Sequence, residues 1–373
     1  MNLRNLSKTL ISSLCLLLLL LATASSSLSA QVGQNAQRIA AGTFSNRPKL
    51  LWKFKTKGVV NATALIAEGK VFIGSNDYRI YALDFVTGKK IWEFKTQGVV
   101  EARPFLHQGT IYVGSEDGNL YALNAATGKM RWKFQTDDKV MGGANVIPEP
   151  NGKGFWVVFG SYDSSIYCLN TANGKKVWQY TTDNYINGTP AIGNGKVILG
   201  GCDGVLHIVR LTDGKKLNTV ALESYVPGSV TLDGALAFFG YYGNEVLCVN
   251  TDTAAIVWRY RERQFPYFST PAVAPDRIVI GGRDKQIHCI SRKDGRNIWK
   301  LRTRGKVDSS PVICDGKAII GSEDGRLYLV DLQTGKEVYS YVIGSPVIGS
   351  PIIANGTLIV GAGDGYVYAL GGK

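Results

Sequence analysis

Few residues in this chain have the type and spacing that chemistry demands. Seven aspartates, Asp77, Asp117, Asp163, Asp203, Asp284, Asp324 and Asp364, recur in Gly-x-x-Asp strings. A row of carboxylates suggests calcium, but calcium takes six or more oxygens, and one aspartate per string does not gather them. A carboxylate beside glycine in a tight turn is expected instead to accept hydrogen bonds from its own loop. His107, His207 and His288 are far apart and no transition-metal spacing is present, so no metal is expected. Glu101, Arg103 and Asp308 are charges that could serve acid–base work, yet three charges alone do not make a catalytic constellation.

The first thirty residues read as an export signal. Arg4 and Lys8 give a positive start, Leu14 to Leu21 an apolar run, and Ala22-Thr23-Ala24 and Ala30 two small-residue cleavage positions. The apolar run is shorter than the roughly 18 residues of a membrane span; retention as an anchor is the alternative. Residues 31–48 are expected to be a linker, and no integral span is expected after cleavage. A net charge of +13, or +11 without Arg4 and Lys8, favours an anionic envelope surface. Export argues against nucleic acid. Five cysteines follow the leader: Cys168, Cys202, Cys248, Cys289 and Cys314. An odd count cannot pair completely, and three of them occupy a site where other repeats hold alanine, as small hydrophobes.

A repeat must position all of these residues. Gly-Ser-x-Asp-x-x-(Leu/Ile)-Tyr-(small)-Leu begins at Gly74, Gly114, Gly160, Gly200, Gly240, Gly281, Gly321 and Gly361. The spacings are 40, 46, 40, 40, 41, 40 and 40, the long one holding the turn-rich insertion Pro148–Gly152. Thr-Gly-Lys-x-x-Trp follows, with tryptophans at Trp92, Trp132, Trp178, Trp258 and Trp299; its last copy stands at the front of the chain as Trp52. Each repeat reads as four short strands, Val99–Phe105, Thr110–Gly114, Asn119–Asn124 and Met130–Gln135 in the second. The expected fold is all-β: an eight-bladed β-propeller of four-stranded antiparallel blades over residues 49–371. The Trp52 strand closes it by pairing with the last blade.

The composite string Gly-x-x-Asp-Gly-x-(Leu/Val)-Tyr-Ala-Leu-(Asp/Asn)-x-x-Thr-Gly-Lys-x-x-Trp resembles the repeat of the pyrroloquinoline-quinone-like propellers, from about residue 50 to 370. The resemblance implies that Trp52, Trp92, Trp132, Trp178, Trp258 and Trp299 dock one blade on the next. Function is left open by it, because the family holds quinone-dependent alcohol dehydrogenases and non-enzymatic scaffolds of outer-membrane assembly. The dehydrogenases imply a quinone, a calcium ion and two adjacent cysteines, and this chain has no Cys-Cys pair.

Propellers line their central channel with the innermost strands. The residues before the recurrent proline read as Thr63, Arg103, Asn145, Thr189, Ser229, Thr270, Ser310 and Ser350, all polar. Two positions earlier the chain varies, with Asn61, Glu101, Asn187, Phe268 and Asp308 among the candidates for binding. Tyr185, Tyr225, Tyr241, Tyr242, Phe265, Tyr267 and Phe268 crowd repeats four to six. They suggest a ligand or peptide surface at one channel mouth, with packing between loops as the alternative. Basic trios after Trp52 (Lys53, Lys55, Lys57), Trp258 (Arg259, Arg261, Arg263) and Trp299 (Lys300, Arg302, Arg304) suggest an anionic contact or simple edge protection. The expected function is that of an exported, monomeric, cofactor-free scaffold, periplasmic or extracellular, that binds protein, with the outer-membrane assembly machinery as the candidate partner. An envelope-glycan or small-ligand binder and a quinone-dependent oxidoreductase are the alternatives.

Overall fold

The structure, a computed structural model, describes Ser29–Ala30 and residues 38–372. Alternating apolar residues broken by glycine turns give eight antiparallel sheets arranged as a propeller. In blade two the strands are Phe105–His107, Thr110–Gly114, Asn119–Asn124 and Met130–Gln135, paired in that order. Gln108 and Gly109, at φ of 44° and 66°, make the two-residue turn that suits a right-handed hairpin. Between the third and outer strands, Asn124 Oδ1 accepts hydrogen bonds from the N–H and hydroxyl of Thr127. The two middle strands are buried and the outer strand alternates between sheet and solvent.

The innermost strand is shorter than the sequence suggests. Residues 99–104 lie outside the ladder, with a bend at Ala102, because their bonds go elsewhere: Val100 N–H donates to Ser75 O of the preceding blade, and Val99 O accepts from Glu116 N. Pro104 has no N–H to give.

Neighbouring blades meet at the repeated glycine. A Cβ on Gly114 would lie 2.4 Å from Val140 Cγ1 and 2.5 Å from Val140 O. The same approach recurs around the circle to Gly361, whose partner is Val60, distant in sequence but on the segment entering the adjoining blade one. Further out, each indole ties two blades. Nε1 of Trp52, Trp92, Trp132, Trp178, Trp258 and Trp299 donates to Phe85, Ala125, Thr171, Leu211, Arg292 and Leu332 carbonyls of the next blade. Each ring also covers the glycine of that blade's outer turn, as Trp132 covers Gly174. Blade four has no tryptophan: Asn218, opposite Ile208, stands in its place, and there the facing turn carries Ala254 at φ 57° in place of glycine.

Lys49–Lys55 pairs antiparallel with Tyr366–Gly371, from Lys49 opposite Gly371 to Lys55 opposite Tyr366, and completes blade eight. The segment before it is docked, although the sequence reads as a linker. Ile39 bridges in parallel to Ile313 on the inner strand of blade seven, and Phe44 is buried between blades seven and eight. Ser29–Ala30 adds a fifth strand to blade one beside Leu65–Ala67. The rest of the expected export signal lies outside the described residues. Among those described, no helix is long and apolar enough to cross a membrane.

Cys168, Cys248 and Cys289 are fully buried in third strands, and burial raises each thiol above its ordinary pKa. Replacing Gly114 by alanine should force Val140 and its carbonyl outward, lowering stability by about 3 kcal/mol. Denaturant unfolding of Gly114→Ala checks this, with Gly152→Ala, whose Cβ meets nothing within 4 Å and whose φ of 69° costs an alanine about 1 kcal/mol, as the milder control.

Candidate functional site: an aromatic and charged rim at one channel mouth

The Gly-x-x-Asp turns all lie at one end of the channel, and a partly buried pair of the aspartate with a tyrosine or histidine fixes each of them. Tyr81, Tyr121, Tyr167, Tyr328 and Tyr368 donate their hydroxyls to Asp77, Asp117, Asp163, Asp324 and Asp364 at 2.6–2.7 Å. In blades four and six, His207 Nε2 and His288 Nε2 stand 2.9 and 3.1 Å from Asp203 and Asp284. The aspartate also reaches across blades, since Asp117 Oδ2 accepts the Gln97 N–H at 2.8 Å and Asp77 Oδ2 the Lys57 N–H at 2.9 Å.

Blade five rebuilds this pair in reverse, which corrects two expected site residues. Leu247 stands where other blades have tyrosine, and Tyr241, in the serine position, donates to Glu245 at 2.9 Å instead. Tyr241 is wholly buried, and so belongs to the core rather than to an exposed mouth. Tyr267 is 2% exposed, in the place of the valine that packs on the repeated glycine, with its ring against His288. An aromatic surface made of Tyr185, Tyr225 and Tyr267 together is therefore not present.

What does line the mouth is set by one backbone bond per blade. The x residue of each turn donates its N–H to the segment arriving from the outer strand of the preceding blade: Asn76 to Val59, Glu116 to Val99, Tyr162 to Lys139, Cys202 to Tyr185, Tyr242 to Tyr225, Arg283 to Pro266. These side chains consequently stand next to one another around the rim. Tyr162 stacks on Tyr185 at 5.1 Å and 8°, and Tyr225 on Tyr242 at 4.4 Å and 22°. Tyr242 continues to Phe268 at 6.1 Å, and the Arg283 guanidinium lies 3.5 Å over the Phe268 ring. Arg283 then makes a bidentate pair with Asp308, 2.7 Å at its shortest. Tyr185 and Tyr242 remain 48% and 42% exposed. The opposite arc is polar: Glu101 Oε1 accepts from Asn61 and Asn76, and Lys139 pairs with Glu116 at 2.7 Å. Asn187 donates to Cys202 Sγ.

Tyr162, Arg283, Glu116 and Lys139 escaped the sequence reading. For Tyr162, Arg283 and Glu116 the signal was the variable x of a string read for its constant letters, whereas Lys139 lies on the arriving segment, outside the string. The ring below the rim needs one correction. In blade three its member is Gly143, whose N–H donates to Thr189 Oγ1 at 2.9 Å as Thr189 N–H does to Ser229 Oγ. Asn145 lies on the inner strand, buried, with its amide on Pro190 O; blade three lacks the proline that marks the register. The basic trios are partly answered, Arg259 and Arg261 by Glu245 and Lys300 by Glu262.

The channel carboxylates do not fit a calcium–quinone group. Glu101 faces two amide N–H donors and Asp308 a guanidinium, and no cluster of three or more His, Cys, Asp or Glu among the described residues could hold a metal.

A family profile described as outer membrane protein assembly factor BamB matches residues 23–105, 96–300 and 284–373. The fold is similar to BamB from Moraxella catarrhalis, at 18% identity over 88% of this chain and 98% of that one, with TM-score 0.72. It is also similar to a quinohemoprotein alcohol dehydrogenase from Comamonas testosteroni, at 13% identity over 95% and 82% with TM-score 0.77. A europium-containing methanol dehydrogenase gives 14% identity over 93% and 98% with TM-score 0.75. No curated protein sequence matches the chain.

The rim turns should weaken in acid. Burial raises the carboxyl pKa of Asp117, but hydrogen bonds from Gln97, Tyr121 and Asn119 outweigh it and the net shift is downward. Asp203 and Asp284 are lowered in the same way, with their histidines as the main opposing partners to burial. A depressed folded-state pKa gives stability that is present above the unfolded value of about 3.9 and lost as pH falls through the folded one. Asp117→Asn should cost about 2 kcal/mol at neutral pH, and its deficit should shrink below about pH 4 in a series of denaturant melts.

Proposed function

The chain belongs to the family of the outer membrane protein assembly factor BamB, and from that premise we propose that it is a non-enzymatic, extracytoplasmic scaffold that binds a protein partner of outer-membrane β-barrel assembly. One observation carries the reading: the stacked, half-exposed tyrosines on one arc of the rim, Tyr162–Tyr185 and Tyr225–Tyr242, running into Phe268 and Arg283.

Rigid aromatics offer large contact area at little cost in side-chain entropy, and a neighbouring arginine adds directional donors. Here the rings are held in place before any partner arrives, because their backbones are tied to the neighbouring segment and their faces are stacked on each other. Arg283 is likewise fixed by Asp308, so the arc presents a preformed surface. The polar arc of Glu101, Asn61 and Asn76 stands opposite it and limits the apolar contact to one side of the mouth. The expected location is the periplasm, and the leader is the feature that supports it.

A double variant, Tyr185→Ala with Tyr242→Ala, tests this. Both side chains are half-exposed, so thermal unfolding should barely change. Co-purification of an outer-membrane assembly component after crosslinking in the native envelope should fall at least tenfold. Undiminished recovery of that component, or recovery only of proteins with no part in barrel assembly, would sink the proposal.

A further inference from the structure

One level below the rim, the channel carries positive charge with no carboxylate to answer it. Arg103 projects from blade two, and its Nε and Nη2 are shielded from solvent with no hydrogen-bond partner among the described residues. A second guanidinium comes from outside the repeat. Arg38, only 8% exposed, is held by backbone carbonyls at this same level. Its Nε donates to Pro311 O at 2.6 Å and its Nη2 to Ser310 O and Pro351 O, both at 3.1 Å. The backbone on either side is anchored, with Ile313 N donating to Arg38 O and Ala40 N to Ile313 O.

Burial, and after it the charge of Arg103, pulls the Arg38 pKa down to about 9, and burial pulls Arg103 down to about 10. Each cation therefore sits where its charge is costly and incompletely compensated. The nearest acids along the chain are already engaged, Glu101 with Asn61 and Asn76 and Asp308 with Arg283. The hydroxyls of the ring face the same way in chemical terms. Thr189, Ser229, Ser310 and Ser350 each accept a backbone N–H from the preceding blade, which leaves the O–H of each to donate. Two buried guanidiniums among hydroxyl donors are the makings of an oxyanion site, since charge-assisted bonds to such anions are the strong ones.

We propose that this level of the channel binds a small oxyanion of the phosphate or sulfate class, held by Arg103 with Arg38 as the second cation. Binding there would couple the N-terminal arm to the propeller, because Arg38 reaches the channel only while the arm is docked on blade seven. The proposal does not depend on the rim or its partner.

Titration calorimetry of the exported protein with inorganic phosphate at low ionic strength, alongside thermal melts, tests it. One bound phosphate is expected, with a melting temperature that rises with phosphate concentration. Arg103→Gln should weaken binding at least tenfold and remove that rise. Without phosphate it should melt no lower than the parent, because an uncompensated buried charge is gone. Arg38→Gln should also weaken binding, whereas the exposed Arg302→Gln on an outer strand should leave it unchanged. The proposal is overturned by absence of phosphate binding, by binding that survives Arg103→Gln, or by an Arg103→Gln protein that melts well below the parent in phosphate-free buffer.

Discussion

The contact on which this molecule depends is the one between each Gly-x-x-Asp turn and the chain arriving from the preceding blade. Three demands meet there within four residues. The glycine must have no side chain, since the incoming Val140 carbonyl and methyl would overlap a Cβ on Gly114. The x residue gives its N–H to the incoming backbone, and the aspartate accepts an N–H from the segment ahead of it. Blade packing, channel lining and rim are thus one construction repeated around the circle, with Gly243 in the aspartate's place in blade five. The circle closes because Gly361 meets Val60 in the same way that Gly114 meets Val140. The strand Lys49–Lys55 supplies the edge that blade eight would otherwise expose.

That construction separates what must stay constant from what is free to vary. Glycine and aspartate answer to sterics and to hydrogen bonding, and a blade that changes one compensates locally, as Tyr241 with Glu245 does for Gly243 and Leu247 in blade five. The x residue answers only through its backbone. Its side chain points into the rim and is tyrosine, cysteine, arginine, glutamate or asparagine without loss of the blade contact. Individual character therefore collects at the mouth. The aromatic and polar arcs are the two halves of that variation.

Much of this was legible in the sequence for the same reason. Glycine, tryptophan and the Tyr–Asp pair are demanded by short-range sterics and recur at nearly fixed spacing, so the architecture and its closure by the Trp52 strand could be read directly. The rim was legible in part: Tyr185, Tyr225, Tyr242, Phe268 and Asp308 stand at the mouth. Tyr241 and Tyr267 did not follow, because a large ring in a small residue's place can be absorbed inward when the neighbouring position shrinks or a histidine offers a face. Asn145 was misplaced because blade three has lost its proline, and Gly143 gives no side chain to mark the register. Arg38 was invisible as a channel residue, since it lies outside the repeat and is placed only by Ile39 bridging to Ile313.

The central claim is that the turn end of the channel is the surface that meets a partner. Hydrogen exchange of the protein, alone and in its crosslinked envelope complex, addresses it most directly. The expected result is slowed exchange in residues 160–163, 183–187, 223–227, 240–243 and 265–268. Protection confined to the outer strands that carry the basic trios, or to the hairpin turns at the opposite mouth, would contradict it.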